Sequence, residues 1–314
     1  MRPAAVWRAL GARGILGMNH RNALYVGPLN ARRAYPTVDN KRLTKLLAAR
    51  HGIPTPELYG VIQTHGELRD LPRLVADQPR FVLKPARGAA GNGILLIAGR
   101  AWDRLAKPSG ETLAWEELTN HAASIISGVY SLEGLEDQAL LEAFIQVDQT
   151  FEAVTYRGVP DLRVIVYRGI PVMVMVRLPT RRSDGRANLH QGAIGAGITL
   201  GAGITVAAVQ GRTVVTHHPD TRQPVAGIAV PHWDRSLEIA ARGYDMTGLG
   251  YLGADLIIDR DRGPVLLELN ARPGLAIQLA NQDGLGRRLR LVDAAWQPGR
   301  SAEERVALAR SLFP

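Results

Sequence analysis

In the last quarter of the chain two apolar runs, "ADLII" at 254–258 and "PVLLELN" at 264–270, flank the turn-like "DRDRGP". Short β-branched and leucine-rich runs bounded by Asp, Gly and Pro are strand signals, so the pattern predicts a β-hairpin. With the turn centred between Asp261 and Arg262, symmetric pairing sets Asp259 against Pro264 and Asp255 against Glu268. Alternation with period two then places Glu268 and Asn270 on one face and Leu267 and Leu269 on the other.

The same reading runs along the rest of the chain. Residues 1–38 show weak periodicity and many turn signals. A helix follows, with Asp39 as N-cap, Leu43, Leu46 and Leu47 as its apolar stripe and "HGIPTP" as its stop. Strands are predicted at "YGVIQ", "RFVLKP", "ILLIA" and "ALLEAFI", with a helix near 67–78 and a longer polar helical region before the last of these. "DLRVIVYRGIPVMVMVRLPT" reads as a hairpin turning at "RGIP", "DRSLEIAARGYDMTG" as a helix and "SAEERVALARSLF" as a terminal helix. The uncharged, glycine-rich 192–211 reads as loop and strand, since it only borders on the length of a membrane span. The fold class is α+β. The expected divisions are an arm at 1–38, a helix and linker at 39–58, a small α+β unit at 59–145 and a larger unit at 146–314.

Composition narrows the chemistry. An apolar content of 46% with 21% charged residues describes a soluble globular chain of 314 residues. The absence of cysteine excludes disulfides, thiolate metal sites and cysteine nucleophiles. Arginines interrupt the first twenty residues, so a signal peptide and membrane insertion are not expected, and a cytoplasmic location is. The net charge of +9 is carried by residues 1–50, where ten Lys or Arg face Asp39 alone; the other 264 residues balance. Such a segment suits an acidic partner, whether nucleic acid, anionic lipid, polyacidic peptide or nucleotide, or is simply a solvated basic arm.

Three groups carry candidate chemistry. Asp255 opposite Glu268 should repel by about 3 kcal/mol at an effective dielectric of about 20, so something should neutralise the pair. Two carboxylates and the Asn270 amide suit Mg²⁺, while a solvated hairpin face is the alternative. Lys84 ends a strand that runs into a loop with Gly88, Gly91 and Gly93, an arrangement in which backbone N–H groups and a point charge cradle phosphate. It matches neither the P-loop nor the dinucleotide fingerprint. His190 is a candidate base or a polar loop residue, and His217 with His218 read as loop residues.

The ordered series Lys41, Lys84 with its glycine loop, "LLEAFIQVD", "DLR", "RANLHQG" and Asp255 with "ELNARPG" resembles the ATP-grasp superfamily over roughly 39–280, and within it the RimK-type glutamate ligases. That resemblance implies an ATP-grasp fold, two α+β subdomains gripping ATP, with a truncated N-terminal domain. It implies that Lys41 and Lys84 contact ATP phosphates under a lid from Arg87 to Gly93. Glu142, Phe144 and Ile145 would form the adenine hinge, and Asp148 would meet the ribose. Arg163, Arg177, Arg186, Asn188 and Arg272 would be the catalytic set, and Asp255, Glu268 and Asn270 would hold Mg²⁺, as two ions for which Mn²⁺ can substitute. The implied activity is ATP-dependent ligation of a carboxylate to an amine, with an acidic peptide among the acceptors and an oligomer allowed. A nucleotide-regulated module binding RNA or an acidic partner is the alternative. Gln191 stands where the family carries a cation, and fewer than forty residues precede the helix capped by Asp39; both bear on substrate specificity.

Overall fold

The computed structural model describes residues 9–88, 91–131 and 134–314. They form two compact units, one within residues 39–46 and 55–146 and the other within 9–38, 47–54 and 147–314. The described part of the expected basic arm, 9–38, therefore belongs to the larger unit.

The smaller unit is built on β1 (Leu58–Ile62), β2 (Phe81–Pro85), β3 (Leu95–Ile97) and β7 (Ala139–Ala143), antiparallel in the order β1-β7-β2-β3. A three-stranded meander of β4 (Gly99–Ala101), β5 (Arg104–Ala106) and β6 (Thr112–Leu113) follows β3 in the chain. The Trp115–Ile126 helix buries Leu118, Ala122, Ile125 and Ile126, a stripe at helical spacing, beside Phe81, Leu83, Ile97 and Leu141. The helix expected near 67–78 is a 3₁₀ turn, His65–Asp70, followed by the short Leu71–Leu74 helix; Pro72 lies at its first turn, where a missing N–H costs nothing. The Lys41–Arg50 helix is capped by Asn40, whose side chain accepts the Leu43 N–H at 3.1 Å, because Asp39 closes a preceding helical turn, Pro36–Asp39.

The larger unit is a seven-stranded antiparallel sheet in the order β12-β11-β10-β9-β8-β13-β14. Its strands are β8 (Asp161–Tyr167), β9 (Ile170–Leu178), β10 (Ile194–Ile198), β11 (Thr205–Gln210), β12 (Thr213–Val215), β13 (Tyr251–Asp259) and β14 (Gly263–Asn270). Strands β8 and β13 are buried at every residue, which is why they read as continuous apolar runs and not as alternation. The Trp233–Thr247 helix covers the face carrying Leu252 and Leu269, so close at Gly243 that a Cβ there would stand 3.2 Å from Leu269. Tyr25, from the N-terminal segment, meets the Tyr167 and Tyr251 rings at 5.6 and 6.4 Å on the opposite face. On that face the Ile277–Asn281 helix approaches β10 so closely that a Cβ at Gly197 would stand 2.5 Å from the Ala280 carbonyl oxygen.

Residues 9–38 are sewn into this unit. Leu16, Tyr25, Val26 and Val38 join its core. The buried Asn30 amide donates to the carbonyls of Tyr251 and Ala271 at 2.6 and 3.0 Å and accepts the Tyr251 N–H at 3.0 Å. The Gln278 amide accepts the Leu16 N–H at 2.8 Å and donates to its carbonyl at 3.0 Å. Low hydrophobic periodicity hid this, because the segment is anchored through amides and one arginine as much as through apolar burial. Asn30→Ala should cost roughly 2–4 kcal/mol of stability, since it strands one N–H and two carbonyls in the core; urea unfolding measures it, and a loss below about 0.5 kcal/mol would mean the segment is only loosely attached.

Candidate functional site

The hairpin places its polar residues side by side. Asp255 pairs with Glu268, as symmetric pairing predicts, but the turn does not sit where that symmetry puts it. Asp259 pairs with Gly263 and Ile258 with Pro264, so three residues, 260–262, make the turn. A bulge opposite Asp255 and Leu256 takes up Leu267 and restores the register at Glu268. The Asn270 amide donates to Asp255 Oδ2 at 3.4 Å and to Glu268 Oε1 at 3.3 Å, so the three groups converge.

Arginines from the neighbouring strands neutralise the pair. Asp255 lies opposite Arg163 on β8, and Asp161 opposite Arg177 on β9. Arg163 donates from Nε to Asp255 Oδ1 and from Nη2 to Oδ2 at 2.6 Å. Arg177 forks onto Asp161, both contacts at 2.5 Å, and reaches Asp255 Oδ2 at 2.9 Å through the same Nη2. Both guanidinium groups thus spend their Nε–Nη2 edge on carboxylates. Burial alone would raise the Asp255 carboxyl, but Arg163 and then Arg177 hold it well below the usual carboxylate range. Burial raises Asp161 to about 6, against the attraction of Arg177 and with repulsion from Asp255 adding to the rise.

Two arginines and the Asn270 amide meet three carboxylates here. The donor set is also suited to a hard cation: Asp255 Oδ1 accepts one hydrogen bond and keeps a lone pair, Glu268 and Asn270 are half-buried, and turning the amide presents its oxygen in place of its nitrogen. Among the described residues no group of three or more His, Cys, Asp or Glu side chains could hold a metal, so a site here would complete its two carboxylates with other oxygen donors such as the amide.

The smaller unit gathers the opposite charge. Lys84 and Lys45, both buried, bracket Glu142, at 2.7 Å from Oε2 and 3.2 Å from Oε1. Lys45 also donates to the Pro56 carbonyl at 2.5 Å, and beyond this ion pair Glu142 Oε1, fully buried, has no polar partner among the described residues. Two ammonium groups on one carboxylate leave a net positive charge in a desolvated place, which fits an anion such as phosphate. Glu142 turns inward to the lysines, and Phe144 lies under the Arg80 guanidinium at 5.9 Å, with Ile145 half-buried beside it. Lys45 escaped the sequence reading; four residues after Lys41, it lies on the same helix face.

The glycine loop is held at both ends. The Arg87 N–H donates to Asp137, Lys41 Nζ donates to the Gly88 carbonyl at 2.6 Å, and His121 Nε2 lies 2.9 Å from the Gly93 carbonyl. The Arg87 side chain is exposed. Gly91 and Gly93 sit at φ of 76° and 75°, where other residues are strained.

The remaining candidates are more dispersed. Asp148 accepts the Thr150 N–H at 2.9 Å and caps a short helix, and Asn188 caps the Leu189–Gln191 turn through the His190 N–H. Arg186 and His190 are exposed, and Arg272 stacks over Tyr35 at 5.3 Å. His218 is fully buried: its Nε2–H donates to the Pro179 carbonyl at 2.9 Å and Nδ1 accepts backbone N–H groups from Asp220 and Thr221, so its ring ties the loop to β9's end. His217 is exposed.

Residues 20–294 match the model of a family described as sugar-transfer associated ATP-grasp. The chain is 28% identical over 265 residues to a probable alpha-L-glutamate ligase of Maridesulfovibrio salexigens, covering 84% of this chain and 65% of that protein. It is 26% identical over 253 residues to a namesake from Parasynechococcus marenigrum, covering 81% and 40%. The chain thus spans 40% to 65% of the length of these relatives. Among solved structures, the D-cycloserine synthetase DcsG overlaps with a TM-score of 0.47 at 16% identity, covering 85% of this chain and 73% of that one. Among the described residues no helix is long and apolar enough to cross a membrane.

Burial pulls the Lys45 ammonium down to about 8, against the attraction of Glu142 and with repulsion from Lys84 adding. Because its folded value lies below the unfolded 10.5, the unfolded chain binds more protons between the two, and stability rises with pH across that window. Relative to Lys45→Met, the native protein should gain on the order of 1–3 kcal/mol from pH 7.5 to pH 10. Urea unfolding across that range tests it, and parallel profiles would place Lys45 in an ordinary aqueous environment.

Proposed function

The chain belongs to the sugar-transfer associated ATP-grasp family, and we propose that it is an ATP-dependent carboxylate–amine ligase. ATP would phosphorylate a substrate carboxylate, and an amine would then displace phosphate from the acyl phosphate to give an amide. The observation that carries the reading is the meeting of Asp255, Glu268 and Asn270 on one sheet face with Arg163 and Arg177. Such a set handles phosphoryl charge by positioning and electrostatics and needs no protein nucleophile, in keeping with a chain that lacks cysteine.

Asp255, Glu268 and Asn270 would hold Mg²⁺, as two ions or with Mn²⁺ in its place, and the cation would offset charge on the phosphates. Arg163 and Arg177 keep Asp255 ionised and present their Nη1 edges, which have no protein partner among the described residues, to an incoming oxyanion. Lys84 and Lys45 contribute the surplus positive charge that a phosphate would balance, and Lys41 fixes the glycine loop through the Gly88 carbonyl. Phe144 and Ile145 would take the adenine and Asp148 the ribose, while Arg186, Asn188 and Arg272 would receive the carboxylate substrate. Glutamate or a similar amino acid would be the amine, in keeping with the relatives' names, with a peptide or small molecule as acceptor.

Glu268→Gln keeps the size and one oxygen ligand but removes a charge. It should lower ATP turnover at least a hundredfold, and Mg²⁺ with ATP should raise the melting temperature of the native protein by several degrees more than that of the variant. ADP release and product mass spectra over a panel of amino acids and acidic peptides, alongside melting curves, provide the test. Full turnover in the variant would make the hairpin a solvated face, and ADP release without any requirement for an amine would replace ligation with simple phosphotransfer.

A further inference from the structure

One buried cation of the smaller unit has been given no role of its own. Lys45, on the Lys41–Arg50 helix, has 8% of its surface exposed. Its ammonium lies 3.2 Å from Glu142 Oε1 on β7 and donates to the Pro56 carbonyl, ahead of β1, at 2.5 Å. Lys84, near the end of β2, holds the other oxygen of that carboxylate at 2.7 Å. Among the described residues neither lysine pairs with a second carboxylate.

A buried Lys84–Glu142 pair would be complete without Lys45, and its two charges would largely cancel for any anion arriving at Lys84. Burying a second ammonium is unfavourable, and the Lys45 group registers it: burial pulls it down to about 8 despite the attraction of Glu142. What the second ammonium achieves is to divide Glu142 between two cations, one on each oxygen.

We propose that Lys45 is a positioning residue for nucleotide binding, which by holding Glu142 Oε1 keeps that carboxylate from cancelling Lys84 and leaves Lys84 charge for a phosphate. The inference rests on the proposed ATP site, in which Lys84 meets the phosphates, and extends it to a lysine that acts through Glu142. It also links affinity to protonation. The groups that face the Lys45 ammonium are Glu142 from β7, Lys84 from β2 and the Pro56 carbonyl; Lys41, one turn earlier on the same helix, donates to the Gly88 carbonyl. While Lys45 is protonated Glu142 is shared; once the proton is lost, Glu142 neutralises Lys84 and the phosphate is held less well. An anion at Lys84 in turn favours the protonated Lys45, so binding takes up a proton.

Isothermal titration of the full-length protein with ADP and Mg²⁺ tests this, at pH 7 and 9.5 and, at pH 8.5, in two buffers of different ionisation heat, which counts protons taken up. At pH 7 Lys45→Met should bind roughly tenfold more weakly than the native protein, the effect of one charge at about 12 Å and an effective dielectric of about 20. Relative to that variant, which shares the nucleotide's own titration, native affinity should fall roughly sevenfold from pH 7 to pH 9.5, and native binding should take up about half a proton more at pH 8.5. Lys45→Met combined with Glu142→Gln, in which no carboxylate cancels Lys84, should regain near-native affinity at pH 7 without the extra proton. A lysine that only supports the fold would not be rescued by removing its partner too. Melting curves check folding, and the double variant carries the test if the single one is unfolded. Equal affinity and proton uptake in native protein and Lys45→Met, or a double variant at least tenfold weaker than native, would overturn the inference and leave the ligase reading standing. Absence of ADP binding by the native protein would overturn both.

Discussion

A carboxylate with 1% of its surface exposed stays ionised only if cations replace the water it has lost, and Asp255 is in that position. Arg163 and Arg177 supply the replacement from two adjacent strands, and Asp161 in turn restrains Arg177. The order β9-β8-β13-β14 is what lets four strands contribute one residue each, or two, to a single polar patch. Remove either arginine and a buried charge is left without compensation, a change that typically costs 3–5 kcal/mol. The stability of the sheet and the electrostatics of the candidate site therefore rest on the same contacts.

The two units handle charge in opposite senses. The sheet of the larger unit concentrates an excess of carboxylates around two guanidinium groups, while the smaller unit buries two ammonium groups around one carboxylate. A hard cation suits the oxygen donors of the first, and an anion suits the ammonium groups of the second.

The N-terminal segment connects this chemistry to the surface. Through Asn30 it bridges the start of β13 and the residue following β14, and through Tyr25 it covers the face that carries the polar patch. Its arginines are not equivalent: Arg21 is buried and donates to the Pro273 carbonyl at 2.5 Å, while Arg13 faces solvent. A charge count treats the two alike, and only packing separates a structural arginine from one available to a partner.

By itself the sequence determined what depends on local pattern. The strands at 81–85, 139–143, 161–178 and 251–270 follow from apolar runs and turn residues, and the facing of Asp255 and Glu268 follows from their spacing about the turn. The tertiary structure decided what depends on contacts between distant residues. No local signal announces that Lys45 and Lys84, 39 positions apart in the numbering, share Glu142, or that Arg163 meets Asp255 across 92 residues. Asp39 and Asn40 are equally good caps by composition, and the preceding turn at Pro36–Asp39 chose between them. His218 reads as a loop residue from its neighbours, yet its two ring nitrogens hold that loop in the interior. Local pattern fixes which residues can form an element, because it acts through backbone geometry and alternation. Burial fixes what a charged side chain must bond to, because desolvation is a property of the assembled fold.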